Sequence, residues 1–385
     1  MDIKNLSKEH IMHTYGRFDV VLKEGKGVHV KDSDGKEYID LGSGIGVNSL
    51  GFCDEGWVST ICQQASTLQH TSNLYYTYPS TLLAEKLTKN SHFDKVFFGN
   101  SGAEANECAI KLARKYSYEK YGENRNEIIT LEQSFHGRTV TTLAATGQEQ
   151  FHKFFFPFTE GFQYAKPNDL ESLKEKITDK TCAIFIECIQ GEGGVNILDK
   201  DFVQGIERIC QENDLVFIVD EVQTGIGRTG SMYAFEQFDV KPDVITLAKG
   251  LGGGLPIGAC LCTEEYKEVL SLGHHGTTFG GNPVSCAGAS YIMDQIDEDF
   301  LKKVQENGDY FAEELKKLSG VKEVRHMGLI IGILLENKKA SDVAKNALKE
   351  GLLVLTAKDL VRLLPPLTIT KDEIDEAIKR FKKVL

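Results

Sequence analysis

The sequence predicts an α/β protein: a mostly parallel central sheet covered by helices, with a smaller α+β domain assembled from both chain ends. Runs of β-branched and aromatic residues recur at 96–98, 127–131, 182–186, 215–219, 244–247 and 257–262. They are apolar throughout instead of alternating, which is the pattern of strands buried on both faces. Helical spacing fills intervals such as 103–116 and 202–213, the second placing Phe202, Val203, Ile206, Ile209 and Cys210 on one face. Strand–helix alternation of this kind implies parallel strands joined by covering helices. The ends differ from this middle. Residues 20–41 alternate like a small antiparallel hairpin turning at Asp34-Gly35, and the segment after about 290 is helix-rich and charged. The expected division places 1–48 and 286–385 in the small domain and 49–285 in the large one.

Composition narrows the function. The 385 residues carry 44 Lys+Arg against 56 Asp+Glu, a net charge of −12. That argues against nucleic acid or an anionic membrane as partner, since both call for a basic field, so any bound anion must be held by local groups. With 41% hydrophobic and 26% charged residues, disordered and fibrous classes are excluded. The nine cysteines are scattered and form no C-x-x-C pair, which argues against a disulfide framework and a zinc cage alike; no metal is expected. Reduced, buried thiols and a start without an apolar leader segment fit a cytoplasmic protein. The 37 glycines are the enrichment to follow, because glycine permits close backbone approach and positive φ.

Three segments carry chemistry. Leu215-Val-Phe-Ile-Val-Asp-Glu-Val-Gln223 is an apolar strand that turns abruptly acidic. Strand C-termini line the ligand crevice of a parallel sheet, so Asp220 is placed to meet a ligand, although Asp is also common as a plain turn residue. Val244-Ile-Thr-Leu-Ala-Lys249 ends in a lone lysine followed by Gly250-Leu-Gly-Gly-Gly254. Most lysines are solvated surface amines, but one desolvated at a strand end has a depressed pKa and can condense with a carbonyl. Val96-Phe-Phe-Gly-Asn-Ser-Gly102-Ala103 leads through small residues into a helix whose first N–H groups would suit a phosphate. Glycine-rich helix starts are common, and it is the combination that matters. Anion cradle, carboxylate and amine are what pyridoxal phosphate requires: a phosphate site, a partner keeping the ring nitrogen protonated, and an amine to hold the aldehyde. Gly225-Ile-Gly227-Arg-Thr-Gly230 matches G-x-G-x-x-G, but it lies past the Asp220 turn and outside the first strand–helix unit, which weakens a dinucleotide reading. The signatures of P-loop nucleotidases, zinc proteases and α/β-hydrolases are absent.

Beyond these segments, ordered motifs run almost the full length: Tyr15-Gly-Arg-Phe, Asn100-Ser-Gly-Ala-Glu-Ala-Asn106, Ser134-Phe-His-Gly-Arg-Thr139, Glu187-Cys-Ile-Gln-Gly-Glu-Gly-Gly194, Asp220-Glu-Val-Gln223, Leu247-Ala-Lys-Gly250, Thr277-Thr-Phe-Gly-Gly-Asn-Pro283 and Val361-Arg-Leu-Leu-Pro-Pro366. With them the chain resembles the class III (ω-amino acid) aminotransferases of fold type I, which depend on pyridoxal phosphate, and among these most the acetylornithine aminotransferases. The resemblance implies transfer of the terminal amino group of N-acetylornithine to 2-oxoglutarate in arginine biosynthesis, with ornithine, succinylornithine or 4-aminobutyrate as rival donors. An NAD-dependent dehydrogenase is the remote alternative, resting on the Gly225–Gly230 match.

The resemblance also implies roles. Lys249 would hold the cofactor aldehyde and shuttle the proton, and Asp220 would pair with the ring N–H. Val222 and Phe135 would sandwich the ring, and Gln223 would bond its hydroxyl. Ser101, Gly102 and Ala103 would receive the phosphate, with Thr278 reaching it from the neighbouring subunit of a homodimer that shares its sites. Arg138 would bind the carboxylate distal to the reacting amine by a bidentate fork. Arg362 would take the α-carboxylate of glutamate and pair with Glu192 when the terminal-amine substrate brings no charge there. Thr277 would contact substrate and Tyr15 would lie at the substrate mouth. Two departures stand out: Gly51-Phe-Cys-Asp-Glu-Gly56 replaces the usual Gly-His-x-His-Pro, and Cys188 stands where Pro usually follows Glu187.

Overall fold

The computed structural model describes residues 2–89 and 91–385. In chain order the strands are β1 (Leu22–Lys26), β2 (His29–Asp32), β3 (Glu37–Asp40), β4 (Lys95–Gly99), β5 (Glu127–Leu131), β6 (Phe162–Ala165), β7 (Thr181–Ile186), β8 (Ile189–Gln190), β9 (Asn196–Ile197), β10 (Val216–Asp220), β11 (Val244–Leu247), β12 (Gly258–Cys262), β13 (Val321–Met327), β14 (Ile330–Leu335), β15 (Leu352–Leu353), β16 (Leu355–Ala357) and β17 (Leu360–Leu363). The central sheet has the order β4-β12-β11-β10-β7-β5-β6. Its strands from β11 to β6 are parallel neighbours, and β12 runs antiparallel between β11 and β4. The expected α/β class is what folds, with this one reversed strand.

Burial on both faces explains the apolar runs. In β10, Phe217 and Val219 enter one core with Ile184, Ile186, Ile245 and Leu247. Val216 and Ile218 enter the opposite core with Ala183, Phe185 and Val244. Each fully buried side chain of this size contributes about 1.5–3 kcal/mol, so both faces resist substitution. Helices Gly102–Tyr121 and Lys200–Asn213 are among those that cover them. The edge strand β6 escaped the sequence reading because Phe-Gln-Tyr-Ala is half-buried and poor in β-branched residues.

Both chain ends meet in a second core, where Val28, Ile39 and Leu41 pack with Phe311, Ile331, Val361 and Phe381. Backbone pairing ties them together: β3 is parallel to β15 through Leu352↔Ile39 and Leu353↔Asp40. Asp34-Gly35 makes the β2–β3 turn, with Asp32 accepting from the amides of Asp34 and Lys36 and Gly35 at φ 84°. Two expectations need correction here. The segment after 290 is more than helical, since β13, β14, β17 and β16 form a four-stranded sheet; the charged, half-exposed Val-Lys-Glu-Val-Arg-His-Met of β13 concealed it. A boundary at 285 also falls inside helix Pro283–Gln295, which sends Cys286, Ala289, Ile292 and Met293 into the large core. Among the described residues no helix is long and apolar enough to cross a membrane.

Close backbone approach sets the packing of the C-terminal part. Gly308 lies inside helix Glu298–Lys316, and a Cβ there would sit 2.1 Å from the carbonyl oxygen of Gly328. Helix propensity alone would reward Gly308→Ala by about 1 kcal/mol. The contact reverses the sign, and a loss of about 1–3 kcal/mol is expected from overpacking. Thermal unfolding checks this, and a raised melting temperature would refute it.

Candidate active site

A cavity of about 450 Å³ opens at one end of the central sheet. Three chain segments that follow strands meet there: Ser101–Ala103 after β4, Val222 and Gln223 after β10, and Lys249 after β11. Parallel strands expose their C-terminal ends together, which is why residues far apart in sequence converge.

The helix Gly102–Tyr121 presents its N-terminus to the cavity. The hydroxyl of Ser101 caps it by accepting from the Glu104 amide at 3.2 Å, and Asn100 Nδ2 donates back to Glu104 Oε2 at 2.7 Å. The amides of Gly102 and Ala103 belong to the open first turn, where a helix lacks internal acceptors and favours an anion. A side chain at Gly102 would come 2.7 Å from Val222 Cγ1, so glycine lets the helix start lie flat against the wall beside Val222.

Asp220 is 4% exposed and held on both oxygens. Oδ1 accepts from the Val222 amide at 2.9 Å, and Oδ2 accepts from Asn106 Nδ2 at 2.8 Å while lying 2.9 Å from His136 Nδ1. The His136 ring stacks on Phe185 at 4.1 Å. This carboxyl is therefore locked in place. Glu187 also lines the cavity, accepting from the Phe135 amide at 2.9 Å. Burial first, and the neighbouring Asp220 second, push its carboxyl well above the usual range, favouring the protonated form.

Lys249 sits at φ 42° at the head of a short 3₁₀ turn, Lys249–Leu251, a left-handed conformation that costs a non-glycine residue about 1–2 kcal/mol. Such strain concentrates where a side chain must be aimed. Among the described residues its amine has no hydrogen-bond or carboxylate partner within reach. Burial, aided by Arg362, holds it below the ordinary lysine value, against the pull of Glu192, Asp220 and Glu187. The following glycines are required by contact: a Cβ on Gly252 would meet the Leu255 carbonyl oxygen at 2.1 Å.

On another side, Arg362 Nη1 lies 2.8 Å from Glu192 Oε1 and donates to Gln223 Oε1 at 3.2 Å. The arginine side chain is 3% exposed and its Nε has no partner. Burial opposes ionisation of Glu192, but the charge and hydrogen bond of Arg362 outweigh it and keep that carboxyl low. Gln223, expected to serve a cofactor hydroxyl, spends its oxygen on Arg362. Arg138 lines the cavity with its guanidinium 3.9 Å from the Phe151 ring centre and 5.5 Å from that of Phe135, a stacked mount that leaves the fork free. Three expected residues do not line the cavity within one chain, Thr278 being expected to serve the neighbouring subunit. Tyr15 is 70% exposed and does not line the cavity. Thr277 accepts from Asn100 Nδ2 at 2.9 Å outside it, and Thr278 next to it is exposed.

Comparison with known proteins decides the family. A family model described as aminotransferase class-III matches residues 11–385. The chain belongs to the class-III aminotransferases. This aminotransferase is 50% identical to the acetylornithine aminotransferase of Haemophilus ducreyi, over 100% of the chain and 98% of that protein. It is also 50% identical to that of Methanocaldococcus jannaschii, over 99% and 97%. Among solved structures, the ornithine aminotransferase of Toxoplasma gondii superposes with a TM-score of 0.93 at 31% identity, covering 99% of this chain and 93% of that one; it is described with PLP at partial occupancy in its active site. The N-acetylornithine aminotransferase of Stenotrophomonas maltophilia gives 0.85 at 36% identity, with 99% and 97% covered. The Gly225–Gly230 loop of this aminotransferase has no part in the cavity.

Asn106, His136 and Glu187 are site residues that strand-end reasoning passed over. Asn106 and Glu187 lie buried in apolar company, and a buried polar residue in such surroundings is the signal that finds them. One test concerns the apoprotein. Because the folded state depresses the Lys249 pKa, the unfolded chain binds more protons between the two values, and stability rises with pH across that window. Lys249→Met is expected to stabilise the apoprotein at neutral pH, with the advantage shrinking as pH climbs toward 10.5. Chemical denaturation at several pH values measures it, and a pH-independent difference would be the contrary result.

Proposed function

We propose that this enzyme transfers the terminal amino group of N-acetylornithine to 2-oxoglutarate through pyridoxal phosphate, giving N-acetylglutamate 5-semialdehyde and glutamate. The observation that carries the reading is the pair of buried Arg362 with partly exposed Glu192, 2.8 Å apart, beside a desolvated Lys249. An enzyme that alternates between a terminal-amine donor and an α-amino acid must accept a carboxylate at one spot in one half-reaction and none in the other. A carboxylate resident in the protein answers this, neutralising Arg362 when substrate does not. The full-length acetylornithine aminotransferase relatives support the donor.

The residues present fit the cofactor. Pyridoxal phosphate, when bound, supplies an aldehyde that condenses with amines and a protonated ring that draws electron density from the substrate carbon. Ser101, Gly102 and Ala103 would hold its phosphate at the helix start, with Val222 and Phe135 as walls. Asp220, fixed by Val222, Asn106 and His136, would keep a proton on the ring nitrogen. Lys249 would hold the aldehyde carbon and, once displaced, carry the proton to and from the substrate carbon; its depressed pKa suits that base role. Arg138 would grip the carboxylate common to both substrates.

A homodimer belongs to the same proposal. Leu74, Tyr75, Tyr76, Tyr78 and Phe279 are 60–103% exposed. Asn73 Nδ2 bonds the Gly280 carbonyl at 2.9 Å, so they form one apolar face with Thr278 at its edge. A patch of this kind marks a partner surface, and a second copy would bring Thr278 to the opposite phosphate.

Three outcomes test this. Initial rates with 2-oxoglutarate should favour N-acetylornithine over succinylornithine, ornithine and 4-aminobutyrate; equal or better use of ornithine would reassign the donor. Asp220→Ala should still take up pyridoxal phosphate, seen in the visible spectrum, while turnover falls by about 100-fold or more. Glu192→Gln leaves Arg362 buried without its counter-charge, a cost of about 3–5 kcal/mol, so the acetylornithine half-reaction should suffer far more than the glutamate one.

A further inference from the structure

The Gly225–Gly230 loop stays out of the cavity, yet it holds a buried charge. Arg228 is 2% exposed. Its Nη1 donates to the carbonyls of Leu329 at 3.0 Å and Pro365 at 2.6 Å, and its own carbonyl accepts from the Leu329 amide at 3.0 Å. Among the described residues no carboxylate compensates it, and burial alone pushes the guanidinium down to about 9.

The two carbonyls occupy a particular place. Strands β14 and β17 pair as Leu334↔Leu360, Ile333↔Val361, Gly332↔Arg362 and Ile331↔Leu363. Two further steps in this register set Leu329 opposite Pro365. Proline has no N–H, so the ladder cannot close there, and Arg228 bridges both strands instead. Arg362 is three residues from Pro365. The loop that carries Arg228 continues from Val222 and Gln223, which line the cavity. Contact between loop and hairpin is tight: Gly328 has φ 54°, and a Cβ on it would lie 2.5 Å from the Thr229 backbone.

We propose that Arg228 is a positioning residue for glutamate and 2-oxoglutarate: by bridging the Leu329 and Pro365 carbonyls it sets where Arg362 stands relative to Glu192 and Gln223. The proposal rests on the reading of Arg362 as the partner of the glutamate α-carboxylate. A guanidinium suits the task because Nη1 carries two N–H bonds fixed in the plane of the group, one for each carbonyl, where a lysine offers a point charge on a flexible stem. The bridge acts on one half-reaction more than the other, since Arg362 meets substrate with glutamate and stays paired with Glu192 when N-acetylornithine is bound.

The test measures the two half-reactions of the holoenzyme separately for Arg228→Lys, Arg228→Met and, as reference, Arg362→Lys, with calorimetric binding of glutarate to each. Arg228→Lys should raise KM for glutamate and 2-oxoglutarate by about tenfold or more and weaken glutarate in step, with a several-fold smaller change for N-acetylornithine. Equal losses in both half-reactions, the signature of a merely structural arginine, would overturn the proposal, as would unchanged glutamate and glutarate affinity. If Arg228→Met fails to fold, the lysine variant still decides. If Arg362→Lys spares glutamate, the reading of Arg362 falls and this proposal with it. If Arg362→Lys loses glutamate while Arg228→Lys does not, Arg228 alone loses its role.

Discussion

A charge taken out of water must find a partner, change its protonation or pay several kcal/mol, and every solution to that constraint meets around Lys249. Asp220 accepts two hydrogen bonds and faces a histidine nitrogen. Arg362 and Glu192 neutralise each other. Glu187, close to Asp220, moves toward its protonated form, and Lys249 moves toward its neutral one. The same desolvation that makes the site costly is what moves the lysine amine toward its neutral form, so stability and protonation are coupled there through one physical cause.

Such crowding needs backbone that can approach closely. A Cβ on Gly191 would lie 1.9 Å from Gln223 Oε1, so the residue next to Glu192 must be glycine for the Arg362–Glu192–Gln223 group to assemble. Gly102 and Gly252 act likewise at the helix start and after Lys249. The glycine excess in the composition is in part the shape of this cavity. The acidic net charge, by contrast, says little about the ligands, because on the proposed reading individual arginines and helix amides, and not a global field, would meet the anions.

Much of the fold was legible because the central strands are buried on both faces and read as apolar runs. The reversed direction of β12 was not, since strand polarity leaves no mark on composition. Edge strand β6 and the sheet β13-β14-β17-β16 were hidden by half-burial and charge. At the site, strand-end logic reached Asp220, Lys249 and the Ser101–Ala103 helix start. It passed over Asn106, His136 and Glu187, whose importance lies in what they touch. Tyr15, Thr277 and Thr278 came from the family resemblance and not from strand ends; none lines the cavity within one chain, and Thr278 was expected to serve the neighbouring subunit.

The sequence by itself determined the α/β class, the positions of the central strands and the residue types from which the site is made, because each follows from local patterning along the chain. Tertiary structure decided the rest. Register alone puts Gly332 opposite Arg362 and Leu329 in line with Pro365, and folding alone converts G-x-G-x-x-G from an apparent nucleotide loop into the seat of a buried arginine. Pairings and desolvation are properties of neighbours in space, and spacing along a chain does not contain them.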